Sequence, residues 1–146
     1  DSDGQPKRPV AIHRAIFGSY ERFIGLLTEH YAGAFPTWLS PIQARVLPVS
    51  EKFADYARTV WKELRSARVR AELDDRNEKL GYRIREAQLK KVPYMLVAGG
   101  REAENGTVSL RLRSGEDLGA ITVDCLVAQL SGEITSRSLT LTVGRS

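Results

Sequence analysis

The sequence has little cysteine and no long apolar run. A single cysteine, Cys125, cannot form an internal disulfide, so nothing in the chain requires an oxidising compartment. No apolar run approaches the roughly 18 residues of a transmembrane helix, and the first residues are too polar for a signal peptide. We therefore expect a cytoplasmic protein without a membrane partner, and the matrix of an organelle fits the same observations.

Motifs of independent catalysis are also missing. Gly99-Gly100 and Gly18-Ser19 match neither G-x-G-x-x-G nor the Walker pattern, and no Ser/His/Asp or Cys/His arrangement stands out. The positive charge is mild, with 22 basic and 18 acidic residues, a net charge of +4 and a pI near 9.4. Such a balance permits an anionic partner without requiring one. A catalytic site contained wholly in this chain is not expected.

The pattern that is present predicts an α/β domain over residues 39–146. A chain of 146 residues with 42% apolar content can bury one normal core. Apolar strands alternate with amphipathic helices, which implies parallel pairing, while the short Ser114-Gly115 connection implies one antiparallel pair. We predict a five-stranded mixed β-sheet flanked by helices on both faces. The predicted strands are 44–49, 69–73, 92–97, 108–113 and 117–123, and the predicted helices are 53–64, 77–89 and 123–134.

A shorter strand–helix unit precedes this domain and occupies residues 1–38. Val10 to Ile16 is predicted as a short strand, and a helix is predicted from an N-cap at Ser19 to Tyr31. The segment Phe35-Pro-Thr-Trp-Leu-Ser-Pro41 contains two prolines, which prevent a continuous helix. We interpret it as the connection between the two units.

Positive charge is concentrated between Arg76 and Lys91, where six basic residues face two acidic ones. The third strand follows, and after it a glycine-bracketed acidic segment, predicted as a loop, carries Glu102. The amide of Asn77, the Glu102 carboxylate and several cations can gather at the ends of neighbouring strands. A carboxylate can accept both adjacent donors of guanine's Watson–Crick edge. These groups suit the reading of unpaired RNA bases.

An ordinary solvated helix face explains part of the same charge pattern. Lys79, Arg83 and Glu86 stand at i, i+4 and i+7 of the predicted second helix, and such charges need no ligand. Tyr82 on this helix can either stack on a base or cover the sheet. Charge pattern alone therefore does not decide between an RNA-binding face and a solvated one.

Three segments carry a resemblance to a known family: the stretch Asp75 to Gly119, the FPTWLSP segment and the terminal TSRSL motif. Through them the chain resembles class II aminoacyl-tRNA synthetases, in particular the threonyl-tRNA synthetase family. The resemblance runs from about Lys7 to Leu139. It implies that residues 39–146 are an anticodon-binding domain whose partner is the anticodon stem-loop of threonine tRNA. It also implies anticodon contacts from Asn77, Arg85, Glu102 and Arg111, with phosphate attraction from Lys79, Arg83, Lys90, Lys91 and Arg113.

The phrase His13 to Phe23 resembles motif 3 of the same enzymes. By that resemblance Arg22 stacks on the adenine of ATP, a task that suits a planar cation, and His13 is one of three zinc ligands. Motifs 1 and 2 and the other two zinc ligands are missing. The resemblance therefore implies the C-terminal part of a threonine–tRNA ligase, a homodimer that uses ATP and zinc. This chain alone is not expected to transfer threonine or to hold either cofactor tightly.

Two other functions stay open at this point. In the first alternative, Arg22 is enough for the chain to retain ATP binding. In the second, the chain is an interaction or accessory protein that uses the anticodon-binding fold without sequence-specific RNA reading. Under the second alternative, loss of the Glu102 carboxylate has no effect on RNA binding. The oligomeric state of the chain by itself is also left open.

Overall fold

Five strands form the centre of the structure, a computed structural model that describes residue 2 and residues 4–144. They are β1 (Ala44–Pro48), β2 (Ala71–Leu73), β3 (Tyr94–Ala98), β4 (Thr107–Leu112) and β5 (Asp117–Thr122). They lie in one sheet in the order β2-β1-β3-β4-β5. β1 pairs in parallel with β2 and β3, while β4 is antiparallel to both β3 and β5. The predicted mixed five-stranded sheet is confirmed.

The helices are α1 (Tyr20–His30), α2 (Ala54–Ser66), α3 (Leu80–Leu89), α4 (Gly100–Asn105) and α5 (Val123–Thr135). Four of them match predicted helices, whereas α4 replaces the predicted acidic loop, so Glu102 lies on a helix. A glutamate in the first turn favours a helix start, and Gly106, at a φ of +64°, ends α4 in the left-handed conformation that glycine adopts readily. None of the described helices is long and apolar enough to cross a membrane.

The helices cover the two faces of the sheet unequally. α2 and α5 pack on one face, where side chains such as Val46, Leu96 and Leu110 join Val60 and Leu126 in the larger core. α3 packs on the other face in a smaller core that joins β1 and β3. On that side, no residue of β4 or β5 joins the smaller core within the described part of the chain. An open strip of sheet therefore lies beside α3.

The N-terminal unit agrees with the predictions only in its helix. The Ser19 hydroxyl accepts a hydrogen bond from the Arg22 backbone N–H at 3.2 Å, which caps α1 as expected. Val10 to Ile16 was predicted as a strand, but it pairs with none of the five strands and is exposed. Alternating apolar residues form a strand only where a neighbouring strand accepts their hydrogen bonds. Within the described chain this segment has no such neighbour.

The connection between the units is bound firmly to the sheet domain. Thr37 is fully buried and its hydroxyl donates a hydrogen bond to the Glu133 carboxylate. Arg113 donates to the Phe35 carbonyl at 2.6 Å, and Arg70 donates to the backbone of the connection, for example to Ser40 at 2.9 Å. Contacts with the sheet domain thus begin near Phe35. The boundary between residues 38 and 39 stays a prediction.

Candidate nucleic-acid interface

The candidate site lies at the carboxyl ends of β1 and β3. These strands are parallel neighbours in the sheet. The chain passes from β1 to β2 on one side of β1, and α3 then connects β2 to β3 on the other side of β1. Connections that diverge to opposite faces leave a crevice at such a point, which is where open α/β sheets bind ligands. Two recesses occupy this crevice, one on each side of Val49, the residue that follows β1.

The first recess has a volume of about 610 Å³ and lies between α3, β4 and the start of α4. Leu80 and Ile84 of α3 form an apolar wall. Ser109 and Arg111 form the opposite wall, because β4 projects them into the open strip that α3 leaves uncovered. Glu102 lies at the rim. An apolar slot with a carboxylate and a guanidinium at its edge suits a flat, hydrogen-bonding ligand such as a nucleobase.

Glu102 is held close to the backbone at the end of β3. Its Oε2 atom lies 2.7 Å from the position that a Cβ on Gly99 would occupy, so only glycine leaves room for this carboxylate. Val49 Cγ2 lies 3.1 Å from the same position. No hydrogen bond or ion pair engages the Glu102 carboxylate in the part of the chain that the structure describes. A half-buried carboxylate with unused acceptors is available for a ligand that offers donors.

The second recess has a volume of about 530 Å³ and lies on the other side of Val49. The loops after β1 and β2 form its sides, and Asn77 is one of its lining residues. The Asn77 amide is exposed and has no side-chain partner among the described residues. Arg58 and Asp75 form an exposed ion pair of 3.4 Å at its edge. This recess therefore offers the free amide of Asn77, beside the exposed carboxylates of Glu51 and Glu78.

Arg83 forms part of the second recess, but not as the predicted phosphate contact. Its side chain is only 3% exposed. The guanidinium donates to the carbonyls of Asp74 at 2.6 Å, Pro48 at 2.7 Å and Glu78 at 3.1 Å. These bonds tie the ends of β1 and β2 to α3. A buried guanidinium whose donors are used by backbone carbonyls is a structural group, and the sequence prediction for Arg83 is wrong for this reason.

The other predicted cations fall into two groups. Arg111 pairs with Asp117 at 2.6 Å, Lys90 pairs with Glu86 at 2.6 Å, and Arg113 is bound to the connection. Burial lowers the pKa of the Arg113 guanidinium. Because this group is half-buried, it is a poor site for binding phosphate at the surface. The remaining three predicted cations are exposed and have no ion-pair partner within the described residues: Lys79, Arg85 and Lys91.

Acidic partners neutralise part of the basic segment. Glu86 receives hydrogen bonds from Lys90 and Arg76, which hold the pKa of its carboxyl below the usual value. Asp74 pairs with Arg76 at 2.8 Å. The positive charge that sequence counting assigned to this segment is therefore smaller at the surface of the folded protein. Tyr82 is 56% exposed, so it does not cover the sheet and stays free to stack.

The residues predicted for ATP and zinc are not joined to a metal-ligand group in the part of the chain that the structure describes. His13 and Arg22 are both exposed. Among the described residues there is no group of three or more His, Cys, Asp or Glu side chains that could hold a metal ion. His13 alone does not fit a zinc site. Its predicted role requires ligands from outside the described residues, and it stays a prediction.

The fold and the two recesses define an anticodon-binding domain, and comparisons with known proteins agree. The model of the anticodon binding domain family matches residues 43–133. The chain therefore belongs to this family.

The relatives that it matches are threonine–tRNA ligases. The chain is 58% identical to the enzyme of Caldanaerobacter subterraneus subsp. tengcongensis over 137 residues, which are 94% of this chain and 21% of that protein. It is also 58% identical to the enzyme of Halorhodospira halophila over 134 residues, again 21% of that protein. The chain thus spans about a fifth of the length of these relatives.

Solved structures show the same relationship. The RNA binding domain of threonyl-tRNA synthetase from Cryptosporidium parvum aligns with a TM-score of 0.75 and 40% identity, and covers 83% of this chain and 30% of that chain. A prolyl-tRNA synthetase from the same organism aligns with a TM-score of 0.60 and 25% identity over 70% of this chain and 23% of that chain. The fold predicted from the resemblance is thereby confirmed.

Proposed function

We propose that this chain reads the anticodon loop of threonine tRNA as part of a threonine–tRNA ligase, and that the first recess receives the middle anticodon base. The observation that carries the proposal is the unpaired Glu102 carboxylate at the rim of a base-sized slot, opposite Arg111. The relatives named as threonine–tRNA ligases support the choice of tRNA.

The chemistry of guanine explains why a carboxylate is suitable here. Threonine codons require guanine as the second anticodon base and uracil as the third. Guanine presents an N–H and an amino group side by side on its Watson–Crick edge, and a carboxylate can accept from both. No other standard base presents this pair of donors. Sequence-specific recognition of RNA relies on such unpaired, splayed bases.

Substitution of Glu102 tests this assignment. We expect Glu102→Ala to reduce the preference for the threonine anticodon hairpin over one with the second and third bases exchanged by about 1–3 kcal/mol, because discrimination at one base is lost. Glu104→Ala is the matched control, because Glu104 lies on the same short helix and lines neither recess. Affinities are measured by titration with both hairpins. An unchanged preference in Glu102→Ala would exclude the carboxylate as the reader, whereas equal affinity of the wild-type chain for both hairpins would favour the accessory-protein alternative.

Lys79 is expected to attract phosphate without reading sequence. It is exposed at the start of α3 and unpaired in the described structure. Lys79→Ala should weaken both hairpins equally and reduce the slope of log affinity against log salt by roughly 0.7, the value for one single-strand phosphate contact. Lys62→Ala on α2, which packs on the opposite face, is the control. A change in hairpin preference in Lys79→Ala would contradict this role.

Gly99 is expected to position the Glu102 carboxylate. In Gly99→Ala the new Cβ would lie 2.7 Å from Glu102 Oε2 and 3.1 Å from Val49 Cγ2, so the carboxylate must swing away while Val49 needs to move only slightly. The backbone of Gly99 has a φ of −120°, which alanine tolerates. We expect a change of less than about 1 kcal/mol in the free energy of unfolding but a clear loss of hairpin preference.

The control for Gly99→Ala is Gly132→Ala on α5, where an added Cβ meets nothing within 4 Å. Thermal unfolding and titration with the two hairpins are measured for both variants. If Gly99→Ala kept the preference of the wild-type chain, the close approach of Glu102 would have no role in recognition.

The proposal extends to the longer protein of which the relatives are examples. There the chain supplies anticodon recognition, with Asn77 and Arg85 as further contacts, to an enzyme that attaches threonine to tRNA with ATP. Arg22 would meet ATP and His13 would bind zinc only in that longer protein, which we also propose to be a homodimer.

A further inference from the structure

Val49 is an exposed apolar side chain in the middle of the polar site. It lines both recesses, whereas its neighbours Pro48 and Ser50 line only the second. Its side chain is 43% exposed, although it follows a strand whose residues are all buried. Packing inside the protein does not account for an isopropyl group at this place, because much of it faces solvent.

The position of Val49 is fixed by its surroundings. Its backbone N–H donates to the Ala98 carbonyl at 2.9 Å, which continues the pairing of β1 with β3 by one residue. A β-branched side chain has few rotamers, so its methyl groups stay in place. On the other side, Gly99 allows Cγ2 to approach the end of β3 closely. Val49 therefore forms a rigid ridge between the two recesses.

A free hydrogen-bonding group stands on each side of this ridge. Glu102 lies in the first recess and Asn77 in the second, and neither side chain makes a hydrogen bond or an ion pair among the described residues. Two bases that remained stacked on each other could not enter recesses on opposite sides of one side chain. Consecutive bases that occupy both recesses must unstack, and their exposed faces then need an apolar surface.

We propose that Val49 is a wedge between two consecutive unpaired bases, and that it determines specificity by separating them into the two recesses. This inference rests on the proposed reading of an anticodon loop. Its isopropyl group contacts a face of each base and replaces the stacking that the bases lose. Glu102 and Asn77 then each meet the edge of a single base rather than a stacked pair.

The test uses the threonine anticodon hairpin with a fluorescent uridine analogue at the third anticodon position, which keeps the Watson–Crick edge and responds to stacking on the neighbouring guanine. Binding of the wild-type chain should change the emission as the two bases separate. Val49→Ala should lose most of this change and bind the hairpin roughly tenfold more weakly, since two buried methyl groups are removed. Val49→Ile, which keeps the branch, should behave like the wild-type chain.

Val10→Ala is the matched control, because Val10 is 88% exposed and lines neither recess. Thermal unfolding of all variants verifies that they are folded. If Val49→Ala keeps the wild-type emission change and affinity, the wedge is disproved while anticodon reading stands. If the wild-type chain fails to prefer the threonine hairpin over the exchanged one, the proposed function fails first and the wedge with it.

Discussion

Glu133→Ala should destabilise this protein more than any other single substitution considered for it. The Glu133 side chain is only 4% exposed. It accepts hydrogen bonds from the Tyr94 hydroxyl at 2.7 Å, from the Thr142 backbone N–H at 2.6 Å and from the Thr37 hydroxyl. It therefore joins the central strand β3, the C-terminal tail and the connection that leads to α1.

Alanine would leave these buried donors without an acceptor. An unsatisfied buried donor costs about 1–3 kcal/mol, so we expect a loss of at least about 3 kcal/mol in the free energy of unfolding. The stability of Glu133→Gln should lie between that of Glu133→Ala and that of the wild type. Its amide keeps one acceptor oxygen, but its NH2 group places donors opposite the remaining donors of the cluster. The measurement is chemical denaturation.

Glu63→Ala is the control for these two variants. Glu63 is an exposed residue on α2, where substitution should change stability by less than about 0.5 kcal/mol. Glu133→Ala with wild-type stability would show that water satisfies these donors as well as the carboxylate does. The Glu133 cluster would then not hold the connection to the sheet.

Arg83→Ala is expected to cause the second largest loss of stability. It should affect RNA binding by distorting the second recess rather than by removing a surface charge. The guanidinium binds the carbonyls of Asp74, Pro48 and Glu78, and two of these residues, Pro48 and Glu78, line the second recess. We expect a loss of about 2–4 kcal/mol in the free energy of unfolding, since buried carbonyls lose charged donors. Binding of all hairpins should weaken, while the salt dependence stays that of the wild type.

Arg85→Ala provides the stability control on the same helix, because Arg85 is exposed. It should change the free energy of unfolding by less than about 0.5 kcal/mol. If Arg83→Ala kept full stability and instead reduced the salt slope by roughly 0.7, Arg83 would be a phosphate contact, as the sequence had suggested.

Sequence patterns predicted the sheet domain well because each element has its own periodicity. The apolar run at β3, the apolar residues of β1 and much of the apolar stripe of α2 correspond to buried positions in the structure, although β1 also buries the charged Arg45. The short helix α4 was not predicted, because six residues between two glycines carry too little periodicity. The segment from Val10 to Ile16 was predicted as a strand, but strand formation depends on a partner that local sequence does not reveal.

The sequence predicted which residue types form the candidate site, but not which of these side chains are bound by other residues of the protein. Glu102 and Arg111 do line one recess, as their places after β3 and on β4 suggested. Helical spacing put Arg83 and Lys79 on one face, yet only the fold shows that Arg83 turns inward to three carbonyls. Nothing in the local sequence marks Glu133 as buried, because its acceptors are used by donors distant along the chain. Val49 was missed because a valine as the last residue of a predicted strand does not stand out in the sequence.

Replacement of the middle guanine by inosine tests the central claim most directly, because inosine lacks only the amino group that Glu102 is proposed to bind. The wild-type chain should bind the inosine hairpin roughly tenfold more weakly, on the scale of a good base contact. Glu102→Ala should bind the guanine and inosine hairpins equally, so that the two changes form a cycle with a clear coupling energy. Equal loss on inosine substitution in the wild-type chain and in Glu102→Ala would contradict the account, because the amino group would then be read by another part of the protein.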